Sequence, residues 1–137
     1  MKTLTVPAEL EQLQNVQDFI SGELEAFDCP MKAQFQSEVA VEEIFVNIVS
    51  YAYRPEVGEA TVRCAVEEEP LQVTIQFLDH GKPFDPLAKE DADTSGEALE
   101  EREGGLGILM VKKSMDDVRY DYANGKNILT IRKRLGE

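Results

Sequence analysis

The order of elements in this chain predicts an α+β fold: a two-layer α/β sandwich with a mixed, mostly antiparallel sheet and helices on one face. Three observations carry that prediction. Two stretches near the start repeat apolar residues at helical spacing, later segments alternate apolar and polar residues as half-buried strands do, and short polar turns join those segments in pairs. With 137 residues the chain is expected to form one domain over its whole length, 1–137.

Leu4 to Val6 reads as a short opening strand. Pro7 fits the first position of a helix, and Leu10, Leu13, Gln17, Ile20, Leu24 and Phe27 recur behind it at helical spacing. Asp28-Cys29-Pro30 interrupts that helix, because proline disfavours helical geometry at the preceding residue. A second helix is predicted from near Met31 to about Tyr53, ended by Arg54-Pro55. Phe35, Val39, Val46 and Val49 mark one of its faces and Val41, Phe45 and Ile48 another, the profile of a buried helix. A narrow stripe of Gln36, Ala40, Glu43, Asn47, Ser50 and Arg54 runs between them.

Strands follow where Ala60, Val62, Cys64 and Val66, and then Leu71, Val73, Ile75 and Phe77, alternate with polar or small residues. The short Glu67-Glu68-Glu69-Pro70 connection predicts a hairpin. Asp85 to Glu103, acidic and poor in large apolar residues, predicts a mobile loop. Leu106 to Met115 predicts a short helix, and Val118 to Tyr122 and Ile128 to Ile131 predict two strands joined at Asn124-Gly125, a strong hairpin signal.

Composition narrows the function. A formal net charge of -13 argues against nucleic-acid binding, which needs clustered Lys and Arg, and points to neutral or basic surfaces as partners. The sequence has no apolar run of the roughly 18 residues that a membrane span needs, and its start lacks the apolar core of a signal peptide, so a cytoplasmic protein is expected. Cys29 and Cys64 lack metal-ligand spacing and are expected as free thiols.

Three clusters could carry chemistry. Glu43 and Asn47 lie one turn apart on an otherwise apolar helix; the amide oxygen of Asn47 can serve as a ligand for Mg²⁺, and Glu43 can act as a general base. Satisfied polar groups, one of them pairing with Arg54, fit the same spacing. Asp79 closes a strand just ahead of Gly81; its carboxylate suits the exocyclic amine of adenine, and an ordinary strand-end turn is the alternative. Gly104, Gly105, Leu106 and Gly107 precede the short helix, where backbone N–H groups bind phosphate oxygens, although any flexible loop end has similar composition. His80 is the only histidine, which removes triads and histidine zinc sites.

Taken in order, Glu43-x-x-x-Asn47, Asp79-x-Gly81 and Gly105-x-Gly107 resemble the N, G1 and G2 boxes of the histidine-kinase-like ATPases. The likeness is nearest to the small anti-sigma-factor serine kinases of partner-switching systems, and it runs from about Thr3 to Leu135. That resemblance implies a Bergerat ATP-binding fold with ATP and Mg²⁺ as cofactors. Asn47 would hold the metal and Glu43 would be the catalytic base, with Asp79 meeting adenine. Gly81, Phe84, Gly104, Gly105, Leu106 and Gly107 would complete the nucleotide site, under an ATP lid at about 85–104.

The reaction implied is phosphoryl transfer to a serine of a small antagonist (anti-anti-sigma) protein, with a sigma factor as second partner and a homodimer as assembly. A nucleotide-binding regulatory module that transfers no phosphate is the alternative. The family usually has His where Tyr51 stands, another glycine where this chain has Lys82-Pro83, and a basic residue where Glu103 adjoins the glycines.

Overall fold

Alternation along the chain becomes five strands: β1 (Lys2–Pro7), β2 (Glu59–Glu68), β3 (Leu71–Asp79), β4 (Asp117–Ala123) and β5 (Lys126–Arg134). Helical spacing becomes α1 (Leu13–Glu25), α2 (Met31–Tyr51) and α3 (Glu103–Ser114). The computed structural model describes residues 1–27, 29–51, 58–83, 85–88 and 103–136. Its strands form one sheet in the order β1-β2-β3-β5-β4.

Every neighbouring pair in that sheet is antiparallel, which corrects the mixed sheet expected from the sequence. Two helices connect β1 to β2, so the chain reverses once more than in a single-helix crossover and the strands meet antiparallel. The helix α3 does lie between strands that run the same way, β3 and β4, but β5 folds back between them.

One face of the sheet is apolar and covered. Val62, Ile75, Phe77 and Ile131 point into a core completed by Val16, Ile20 and Leu24 of α1 and by Val41, Ile44 and Phe45 of α2, all buried. Fully burying such side chains stabilises the fold by about 1.5–3 kcal/mol each. The opposite face carries polar pairs, Thr5 with Thr61 and Gln76 with Thr130, as a sheet solvated on one side should. Lys133 sits on the core-side register of β5 but reaches the end of α3, where its Nζ donates to the Ser114 carbonyl at 2.8 Å. A cation at a helix C-terminus pairs with carbonyls that have no partner inside the helix.

Turns form where the sequence places them. The β2–β3 hairpin closes at Glu69-Pro70, and at the β4–β5 turn Asn124 and Gly125 adopt φ 55 and 74, the left-handed pair that matches strand twist.

The start of the chain differs from expectation. Pro7 ends β1 opposite Glu59 rather than opening a helix; a terminal position on an edge strand tolerates its missing N–H. A 3₁₀ turn at Leu10–Gln12 follows, α1 begins only at Leu13, and its buried line is Val16, Ile20 and Leu24, with Leu10 left 59% exposed. On α2, the residues facing the sheet are Val41, Ile44, Phe45 and Ile48, whereas Phe35 is 67% exposed, so the helix is not buried all round.

Both cysteines are free thiols. Cys64 is buried on the core face of β2, and burial first, then the neighbouring Glu23 charge, push its thiol up to about 12. Cys29 is half-buried near the surface. At pH 8, a thiol reagent such as DTNB should therefore label one cysteine of the native protein quickly and the second only after unfolding in denaturant, read as absorbance per chain.

Candidate functional site

The helix α2 passes beside the C-terminal end of β3, and this crossing brings two of the predicted residues together. Asn47 and Asp79 line one cavity, walled by Ile44, Ile48, Phe77, Ile108 and Leu129 and flanked by Lys82, Pro86, Tyr120 and Asn127. Apolar walls with a few polar groups converging on them suit a small organic ligand. The cavity has about 40 Å³ of free space, enough to hold water.

Asp79 is 6% exposed. Its Oδ1 accepts from the Gly81 backbone N–H at 2.9 Å and from Asn127 Nδ2 at 2.9 Å. Two donors satisfy that oxygen and fold the Asp79-His80-Gly81 turn back on the strand end. An ionised carboxylate only accepts, so the Oδ2 side of the group is suited to an amine of a ligand.

Asn127 was not legible as a site residue, nor was Tyr120. Asn127 is also 6% exposed and faces Asp79 across the β3–β5 register. Its Nδ2 donates in addition to the Lys82 carbonyl at 2.9 Å and lies 3.4 Å from that of Gly81, while Tyr120 Oη donates to its Oδ1. One signal did exist in the sequence: Asn127 alternates with Leu129 and Ile131, which puts an amide on the covered face of the strand.

Glu43 opens elsewhere. Together with Phe35, Gln36, Val39 and Ala40 of α2 it lines a groove of about 280 Å³, whose other wall is Met110, Val111 and Ser114 of α3. Its carboxylate lies against Gly107: a Cβ on that glycine would stand 2.1 Å from Glu43 Oε2 and 2.9 Å from its Cδ. Gly107→Ala should therefore displace the Glu43 side chain, whose flexible end can swing away. The melting temperature is expected to fall by only about 4 °C, for a cost near 1 kcal/mol in a domain of this size.

The glycine run does not precede a helix as expected but forms its opening turns, since α3 starts at Glu103. The first four N–H groups of a helix have no intrahelical acceptor, so the donors expected of a loop are those of the helix end itself. Of the stretch assigned to a lid, Asp85 accepts from the Leu87 N–H at 2.8 Å ahead of a 3₁₀ turn at Pro86–Ala88, and Glu103 and Gly104 belong to α3. Phe84 and residues 89–102 lie outside the described residues. No described helix is long and apolar enough to cross a membrane.

The chain is 30% identical over 132 residues to Serine-protein kinase RsbW of Listeria monocytogenes serovar 1/2a, covering 93% of this chain and 83% of that one. It is 27% identical over 92 residues to Anti-sigma F factor of Caldanaerobacter subterraneus subsp. tengcongensis, covering 67% of this chain and 63% of the relative. Among solved structures, a chain of the SiaB-SiaC complex from Pseudomonas aeruginosa superposes with a TM-score of 0.62 at 18% identity, over 97% of this chain and 89% of that one. The histidine kinase domain of a blue-light activated kinase from Erythrobacter litoralis EL346 gives 0.56 at 13% identity, over 91% of this chain and 60% of the other. Those two likenesses speak to the fold alone. The Histidine kinase-like ATPase domain pattern matches residues 6–133, and the chain belongs to that family.

Proposed function

We propose that this chain binds ATP with Mg²⁺ and transfers the γ-phosphoryl group to a serine of a small antagonist protein in the cytoplasm, and that it also sequesters a sigma factor. The observation that carries the reading is the shared cavity: a helix amide and a buried carboxylate, far apart in sequence, converge between apolar walls. Asp79 would accept a hydrogen bond from the adenine amine, and Asn47 would give its side-chain oxygen to the metal. The residues opening α3, from Glu103 through Gly107, would direct N–H groups at phosphate oxygens.

Bound ATP would supply the phosphoryl group, and the Mg²⁺ that Asn47 would hold would supply charge neutralisation. Glu43 would take the proton released by the serine hydroxyl. Its place in the α2–α3 groove leaves it open to a protein substrate arriving from outside the helix layer.

One feature favours the second reading, a module that binds nucleotide and partner without transfer: Glu43 and Asn47 line different spaces. Incubation with γ-labelled ATP and a candidate small antagonist protein decides between them. Label on a serine supports the kinase; nucleotide binding without label supports the module.

A further inference from the structure

We infer that Asn127, itself no ligand of the nucleotide, is the residue that positions Asp79 for base recognition, and that Tyr120 holds Asn127 in place. This inference rests on the adenine-nucleotide reading of the cavity.

On one side the Asn127 amide meets three acceptors: Asp79 Oδ1 at 2.9 Å, the Lys82 carbonyl at 2.9 Å and the Gly81 carbonyl at 3.4 Å. Only the NH₂ end can face them, and its two hydrogens are used there. The opposite end, Oδ1, accepts from the Tyr120 hydroxyl. An amide engaged on both ends has a fixed orientation and little left for a ligand.

What it does instead is tie β5 to the strand-end turn. It holds the carboxylate through one oxygen, and the turn residues that follow through their carbonyls. With Oδ1 of Asp79 satisfied by Asn127 and by the Gly81 N–H, the rotation of the carboxylate is set, and the other oxygen is aimed. Asn127 is therefore a positioning residue, and the group it positions is the one that distinguishes a 6-amino from a 6-oxo purine.

Titration calorimetry with ADP and with inosine diphosphate tests this, because inosine has a carbonyl in place of the exocyclic amine and loses the hydrogen bond that Asp79 would accept from it. Asn127→Ala should weaken ADP binding by about tenfold, the span of a buried polar group left unpaired, while inosine diphosphate changes far less. The ratio of the two affinities falls accordingly. A loss of general packing would weaken both ligands alike and leave the ratio where it was, and that result would overturn the inference. Tyr120→Phe removes only the outer hydroxyl and should lower the same ratio by about threefold, as one neutral hydrogen bond allows. If Asn127→Ala does not fold, the Tyr120 variant carries the test, and an unchanged ratio there has the same meaning. Wild-type protein that binds neither diphosphate would sink the nucleotide reading as well, whereas an unchanged ratio in a variant that still binds ADP sinks this inference alone.

Discussion

Glu43→Gln should leave ADP affinity within about twofold of wild type and lower serine phosphorylation by about 10²–10⁴-fold, the contribution of a positioned general base. The amide keeps the size of the carboxylate and therefore its packing against Gly107. It cannot take a proton from a hydroxyl. Because Glu43 lines the α2–α3 groove and not the cavity of Asn47 and Asp79, binding and transfer should separate cleanly in this variant. The measurement pairs calorimetry for ADP with label incorporated into the antagonist protein. Transfer at the wild-type rate would remove Glu43 from the reaction.

Asn47→Ala is expected to act on the other half of the site. Magnesium-dependent ATP affinity should fall by about 10- to 100-fold, the loss that follows when groups supporting a bound metal are removed. Adding EDTA should weaken wild-type binding to the level of the variant and leave the variant itself unaffected. Alanine is the stronger helix former, and Asn47 is only half-buried on α2, so the thermal transition should stay close to that of wild type. Unchanged affinity in the presence of magnesium would exclude Asn47 as the metal ligand.

Much of this architecture is written locally in the chain. The second helix, both hairpins and the Asn124-Gly125 turn follow from periodicity and turn chemistry, which act over a few residues. The family resemblance, too, rests on three short boxes. What local pattern does not encode is where distant segments meet. Pro7 satisfies the rules for a helix start and for an edge-strand end equally well, and pairing with Glu59 decides between them.

The same limit hid part of the site. Asn127 stands close to a turn, where asparagine is ordinary, and only the register that sets it opposite Asp79 gives it a role. Glu43 and Asn47 share a stripe on a helical wheel, yet one turn of helix was enough for the first to open into the groove beside α3 and the second into the cavity above the sheet.

The position of β5 has a consequence for biosynthesis. A ribosome makes this strand after the other four, yet its place is inside the sheet, with β3 on one side and β4 on the other. A nascent chain that has emerged only as far as Ala123 has two strand edges waiting for a partner that is still inside the ribosome. A stop codon at Lys126 would thus leave a gap in the middle of the protein, and the product would be a substrate for proteases instead of a shortened but folded chain.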